Sequence, residues 1–539
     1  MKVLRVFDIV LKNGRIVDGT GSPWFYGDIG ITEDRIQYIG KIASEHGHTV
    51  YDVSGHYISP GFIDMHSHSD LYILEQPYLS AKVRQGITTE LLGQDGIAAT
   101  PLPKQYVTDW KGNLAGLDGE PNIEWDWTDV KSYLERIEQV MPSHNLAFLV
   151  PHGNIRMEAM GLEGRAATPQ EIAAMKQLLR TALEQGACGI SSGLIYYPCV
   201  FADTNELTAL CEVAAEYGVP FVVHQRSEGD EIVESMMELI NIAEHTKAHL
   251  HFSHFKVCGE KNWNKTAIVL KKIDEARTKG IEITFDQYPY TAGSTMLSAI
   301  LPPWVHEGGT SSMLNRLKDK SARERIKKEM AEGFSGWDSI AAWATWKGIY
   351  ITSVKTAANQ DCIGKHIEEI SQLRNVSDPA DMALRLIEEE ENAVGMIDFV
   401  MDESSIGHIM NHPVGTICTD GLLGGKPHPR AYGAFPRILA KYVRNDQVIG
   451  LEQAIRRMTS QPARIIGCSD RGVIREGLKA DLVVFSLDGV QDTATFEDSR
   501  QAPMGIDYVI INGEVVVEGD AEVHVPAGKV IRRTYYTQC

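Results

Sequence analysis

The sequence predicts an α/β protein: a (β/α)8 TIM-type barrel, with a small β-sandwich domain built from both termini and a lid insertion between barrel strands seven and eight. Three observations lead there. Short apolar strands alternate with amphipathic helices through the middle of the chain, the pattern of βα repetition and a parallel sheet. Six strand ends carry a histidine or an aspartate, where a buried barrel strand is otherwise apolar. The two ends of the chain follow a different rule, alternating apolar and polar residues around an Asn-Gly pair in each.

Taken in order, residues 1–57 alternate in β fashion (Asp8–Asp18, Gly27–Ile31, Arg35–Gly40), and Asn13-Gly14 signals a hairpin. Residues 475–539 repeat that pattern in Ala480–Phe485 and Asp507–Val517, with Asn512-Gly513 at the turn. Residues 58–474 form the barrel, whose first strand is predicted to start at the very edge of the β domain. Its strands are predicted at Tyr57–Met65, Ile87–Leu92, Leu146–Pro151, Cys188–Ser191, Phe221–Val223, Leu250–Ser253, Ile281–Phe285 and Thr416–Cys418. Helices fall between them, at Thr168–Gln185 behind a Thr-Pro start and at Thr204–Tyr217 before Gly218. The interval after strand seven is too long for one loop. Residues 290–345, with Pro302-Pro303, a Gly/Ser tract at Gly308–Ser312 and a helical Arg316–Glu332, read as an inserted lid over the barrel mouth.

Composition narrows the class. With 43% hydrophobic and 23% charged residues the chain can build a large core, and 539 residues exceed one ordinary core. A net charge of −20 argues against nucleic acid or an anionic membrane as partner. No apolar run approaches a membrane span, and Asp8 and Lys12 interrupt the first segment, which argues against a signal peptide. Eight cysteines without C-x-x-C spacing suit a reducing cytoplasm. A homo-oligomer stays open.

The strand ends carry the chemistry. Tyr57-Ile-Ser-Pro-Gly-Phe-Ile-Asp-Met-His66-Ser-His68 sends two imidazoles to one face of the first strand, natural ligands for zinc. Strand two ends in Gly93-Gln-Asp95-Gly96, strand three in His152, strand five in His224, strand six in His254 and Lys256, strand eight in Asp420. His152 has a simpler reading, a loop-orienting histidine. The others point to a metal-dependent hydrolase.

These motifs resemble the amidohydrolase superfamily and, more narrowly, the N-acyl-D-amino-acid deacylase (D-aminoacylase) family. The matching stretches are Pro60–Asp70, Gly193-Leu-Ile-Tyr196-Tyr-Pro, Ser253-His-Phe-Lys256, Asp286–Thr295, and Asp420-Gly followed by His428-Pro-Arg430-Ala-Tyr-Gly-Ala-Phe-Pro-Arg437. They span nearly the whole chain, and the last is the most specific. One residue departs: such deacylases carry a cysteine in a Gly-Asn-Cys-Gly turn where this chain has Asp95. Aspartate can still ligate zinc, but as a harder ligand it loosens the preference for that ion.

The resemblance implies metal-assisted hydrolysis of a linear N-acyl amino acid, with one or two zinc ions (Mn or Co as substitutes). His66, His68 and Asp420 would form one metal corner and Asp95, His224 and His254 the other. Asp420 would be the catalytic base, later the acid, and Tyr196, Lys256, Tyr288 and Arg430 would hold the substrate's α-carboxylate. Ser294 and Met296 would border its side chain. Family members that prefer acidic side chains carry an arginine where this chain has Met296, so neutral D-residues are expected. Two alternatives remain. Cyclic-amide hydrolysis would want a bridging lysine on strand four, and Cys188-Gly-Ile-Ser-Ser-Gly-Leu has none. A non-catalytic scaffold of this fold would be expected to lose ligands, and all six positions are filled.

Overall fold

A computed structural model describes residues 6–534, so the outermost residues of the expected β domain, 1–5 and 535–539, lie outside the described residues. Eight parallel strand positions close on themselves: Phe62–Asp64, Ile87–Leu92, Asn145–Phe148 continued by Val150–Pro151, Ile190–Gly193, Pro220–His224, His249–Phe252, Ile283–Gln287 and Gly415–Ile417. The first and last meet through the Asp420 N–H donating to His66 O at 2.8 Å and a parallel bridge between Ser67 and Gly421. Closure therefore occurs at the very loops that hold the first and last candidate ligands.

The predicted first strand, Tyr57–Met65, splits in two. Tyr57–Pro60 pairs with Leu482–Phe485 and with Phe7–Ile16, so it belongs to the terminal β domain, and only Phe62–Asp64 enters the barrel. Gly61 makes the crossing: a Cβ there would lie 2.1 Å from Thr88 Oγ1, so only glycine lets the chain pass that close. The domain edge expected at 57/58 therefore moves to Gly61.

The expected β-sandwich is realised as one nine-stranded sheet drawn from both termini. Its apolar face gathers Leu11, Ile29, Ile36, Leu482, Val484 and Ile510 into a core of its own. Asn13-Gly14 does not form the expected hairpin. Asn13 sits at φ 63° inside the single strand Phe7–Ile16, and the register against Phe25–Thr32 shifts between Leu11 and Gly14, which is a bulge. Asp28 fixes it by accepting from the Asn13 N–H at 2.8 Å. The second pair, Asn512-Gly513, does turn a hairpin between Ile506–Ile511 and Glu514–Glu518, with both residues at positive φ.

The two helices with the clearest boundary signals form as the sequence indicates. Pro169–Glu184 starts on a Thr168/Glu171 capping box, and Thr204–Tyr217 is capped by Asp203 and closed by Gly218 at φ 61°. The insertion is longer than 290–345. Ala292–Met296 pairs antiparallel with Gly395–Phe399, which pairs in turn with Ile349–Ser353, so the inserted unit runs to Phe399. The expected helix Arg316–Glu332 breaks at Asp319, whose carboxylate caps Lys320–Glu332 through the Ala322 N–H. No helix among the described residues is long and apolar enough to cross a membrane.

Candidate active site

The first barrel strand stops at Asp64, and His66 and His68 follow with Nε2 atoms 3.2 Å apart. Asp95 reaches them from the end of strand two. Its Oδ2 lies 3.6 Å from His66 Nε2 and 3.5 Å from His68 Nε2, while its Oδ1 faces His254 Nε2 at 3.6 Å. Asp420 closes the other side, Oδ1 lying 3.7 and 3.4 Å from the same two Nε2 atoms. Asp95, His254 and Asp420 all have positive φ (55°, 33° and 47°), backbone geometry that L-residues adopt rarely and that clusters where function demands it.

Three sets of donors each lie within 4.8 Å of one another: His66/His68/Asp420, His66/Asp95/His254 and His224/Glu228/His254. The expected second corner is thus rearranged in detail. His224 Nδ1 touches His254 Nε2 at 2.9 Å, but its own set is completed by Glu228 and not by Asp95. Asp95 stands between the two halves, one oxygen toward each.

A buried polar network under the site sets these positions. Lys82 Nζ donates to Asp64 Oδ2 (2.8 Å), Ser67 Oγ (2.7 Å) and Thr419 Oγ1 (2.9 Å), and Asp64 Oδ1 accepts the Thr419 N–H at 2.8 Å. One ammonium therefore ties together the residues adjoining His66, His68 and Asp420. Asp118 Oδ1 faces His68 Nδ1 at 3.6 Å, and Glu228 Oε1 faces His254 Nδ1 at 3.3 Å, carboxylates placed to orient the imidazoles. Asp286 accepts the His254 N–H at 2.6 Å. His152 is fully buried between Ser192 Oγ (2.9 Å) and Glu206 Oε1 (2.8 Å) and stands apart from the cluster.

Electrostatics show what the cluster wants. Burial favours the neutral acids, yet His66, His254 and His68 hold the Asp95 carboxyl well below the usual carboxylate range. Against the same burial, Arg430 and then His66 hold Asp420 far down. Burial and Lys256 press His254 downward, but Asp95 and Glu228 lift it to about 9, whereas burial takes His224 down to about 4. Two buried carboxylates facing imidazole nitrogens are the donor set of a divalent cation, which would satisfy them with the histidines neutral. Asp95 Oδ1 and His224 Nε2 are buried with no hydrogen-bond partner among the described residues, as ligand atoms would be. The residues fit zinc.

The cluster opens into a cavity whose wall includes Tyr196, Lys256, Tyr288, Ser294 and Arg430. Tyr288 Oη has no partner, and its ring lies beneath Arg430 (Cζ 4.4 Å from the centroid) and Lys256 (Nζ 5.7 Å). Tyr196 Oη meets Thr295 Oγ1 at 2.9 Å. Lys256 is bonded to Glu228 Oε1 at 2.7 Å, and Arg430 Nη2 donates to Ser294 O at 2.8 Å. Met296 is the correction. It is absent from the cavity wall and packs behind it with Leu114, Leu117 and Tyr196, against helix Val107–Asp118 at Gly116, where an added Cβ would lie 2.9 Å from Met296 Cβ. Sequence reading missed Glu228, Asp118 and Asp398 at the site. Glu228 alone left a signal, lying four residues after His224.

The chain matches the amidohydrolase family over residues 49–272 and 382–517. It is 34% identical to N-acyl-D-glutamate deacylase from Alcaligenes xylosoxydans xylosoxydans, covering 98% of this chain and 96% of that one. It is 32% identical to D-aminoacylase from the same organism, covering 98% of each. Among solved structures, the N-acyl-D-glutamate deacylase of Bordetella bronchiseptica, complexed with zinc and a phosphonate mimic of the tetrahedral intermediate, superposes with a TM-score of 0.84 at 34% identity, over 98% of this chain and all of that one.

Proposed function

The chain belongs to the amidohydrolase family, among its N-acyl-D-amino-acid deacylases, and from that premise we propose that it is a zinc-dependent enzyme that hydrolyses the amide bond of N-acyl-D-amino acids. One observation carries the reading: His66, His68, Asp95, His254 and Asp420 converge at a cavity that also presents Arg430, Lys256 and a free tyrosine hydroxyl.

His66, His68, Asp95, His224, His254 and Asp420 would hold the metal, as one ion or two. When bound by these residues, zinc would supply Lewis acidity to the amide carbonyl and would make water acidic enough to lose a proton near neutral pH. Asp420 Oδ1 faces the His66 and His68 nitrogens, where it would accept a proton from the attacking water as the water oxygen adds to the carbonyl carbon. The same oxygen returns the proton to the amide nitrogen as the C–N bond breaks, leaving a carboxylate and a free D-amino acid. Arg430, on the other carboxylate oxygen, keeps Asp420 ionised for the first transfer. Arg430, Lys256, Tyr288 and Tyr196 hold the substrate's α-carboxylate, and the guanidinium fork suits that task.

Lys256 and Arg430 are already engaged by Glu228 and Asp420, and no other lysine or arginine lines the cavity among the described residues. An acidic side chain would find no cation of its own, which supports a preference for neutral D-residues over D-Asp and D-Glu. The described cysteines are all free thiols, in keeping with a reducing cytoplasm. The test is kcat/KM on matched N-acetyl-D- and N-acetyl-L-amino acids, with metal analysis of the same preparation. Turnover of the L-series alone, or undiminished turnover after exhaustive chelation, would overturn the reading.

A further inference from the structure

The wall of the cavity that faces away from the metal cluster belongs to the insertion, and its charge is unbalanced. Five carboxylates line the cavity: Asp95, Glu228, Asp338, Asp398 and Asp420. Asp95 and Asp420 face the histidines, and Glu228 is bonded to Lys256. Asp338 Oδ2 accepts the Glu228 N–H at 3.1 Å. Asp398 is different. It is 7% exposed, lines the cavity, and has no ion-pair partner and no donor from another side chain among the described residues. Gly293, its cross-strand partner in the insertion sheet, makes the space it occupies: a Cβ at Gly293 would lie 2.6 Å from Asp398 Oδ1. Trp337 and Trp343 line the same cavity.

A buried carboxylate without a partner is costly, and a fold keeps one where something completes it. Burial pushes Asp398 up to about 7, even though Lys256 and Arg430 act from a distance to lower it. Those two cations serve Glu228 and Asp420 at close range and leave Asp398 open. A cation arriving from the cavity would meet a carboxylate in a space that two tryptophans also line, and carboxylate and aromatic groups together recognise ammonium and guanidinium groups.

We propose that Asp398, in the cavity that Trp337 and Trp343 also line, forms a subsite for a cationic side chain, so that the favoured substrates are N-acyl-D-amino acids of the lysine or arginine type. This rests on the deacylase reading and names the substrate class within it. The amide is cleaved at the cluster while the side chain extends toward the insertion.

The experiment compares kcat/KM for N-acetyl-D-lysine, N-acetyl-D-arginine, N-acetyl-D-norleucine and N-acetyl-D-glutamate on the zinc-loaded enzyme and on Asp398→Asn and Asp398→Ala. The expected result is a lysine or arginine substrate ahead of norleucine by about tenfold or more. Asp398→Asn should lower that lysine-to-norleucine ratio by a similar factor, with the metal content of the wild type retained. Turnover of norleucine with no advantage for the cationic substrates, or an unchanged ratio in both variants, overturns the subsite and leaves the deacylase reading standing. If no N-acyl-D-amino acid is turned over at all, it is the deacylase reading that has failed. Asp398→Ala guards against misfolding of one variant, since a folded, zinc-loaded protein of either kind decides the ratio.

Discussion

Arg430 Nη1 lies 2.7 Å from Asp420 Oδ2, with both side chains buried. The residue proposed to read the substrate's carboxylate is thus joined to the residue proposed to move its protons. Burial favours the neutral form of Asp420, and the guanidinium is the largest opposing influence. Removing it should raise the pKa of Asp420, so the acid limb of the pH dependence of kcat/KM should move to higher pH in Arg430→Ala. Arg430→Lys should shift it less. A limb that stays in place in both variants would show that the pair does not control ionisation. Arg430→Ala should also weaken N-acyl amino acids more than their α-amides, because only the acids present a carboxylate.

Asp420→Asn keeps the shape of the side chain and removes the proton acceptor. We expect kcat to fall by about two to four orders of magnitude. Because Asp420 is also placed to hold metal, zinc content is measured alongside. A near-normal kcat with zinc bound would remove Asp420 from the proton-transfer role.

Asp95 presents one oxygen to each half of the cluster, so its loss should be felt on both sides. Asp95→Ala should bind less zinc and lose nearly all activity, whereas Asp95→Cys should regain zinc and move selectivity toward softer ions. Full metal content and normal turnover in Asp95→Ala would make it a structural carboxylate.

Glu228 shares its carboxylate between Lys256 Nζ and His254 Nδ1. Glu228→Gln should weaken zinc binding by about ten- to a hundredfold, the usual cost of losing a group that orients a metal-binding imidazole. Competition with a chelator of known affinity measures this directly. Unaltered affinity would confine Glu228 to holding Lys256.

Lys82 is fully buried between Asp64 and Glu90, at 2.8 and 3.2 Å. Lys82→Met should destabilise the fold by about 3–5 kcal/mol, because two buried carboxylates lose their counter-charge. Denaturant unfolding of the zinc-loaded proteins reads the difference. A loss below about 1 kcal/mol would mean that the carboxylates take up protons and tolerate the change.

Much of this was legible in the chain because the periodicities are local. Strand ends in a (β/α)8 barrel converge by construction, so a histidine or aspartate at the end of a predicted strand already has an address. His66, His68, Asp95, His254 and Asp420 were found that way. The Thr168 capping box and the Gly218 stop are equally local, since each completes its hydrogen bonds within a few residues.

What the sequence determined by itself was therefore the barrel and the strand ends whose histidines and aspartates cluster at its mouth. Tertiary structure decided the rest, because it turned on contacts between segments far apart in the chain. Asn13-Gly14 became a bulge while Asn512-Gly513 became a turn, since a neighbouring strand, with Asp28 on the Asn13 amide, held the first in line. Met296 left the cavity wall because Gly116 admits a helix against it, 180 positions earlier in the chain. Glu228 joined His254 and Lys256, and Asp398 came to the cavity through the register of a sheet whose strands are separated by about a hundred residues of insertion. No local pattern encodes a pairing of that kind. It is fixed only when the packed chain selects which buried charges face one another and which one is left to face the cavity.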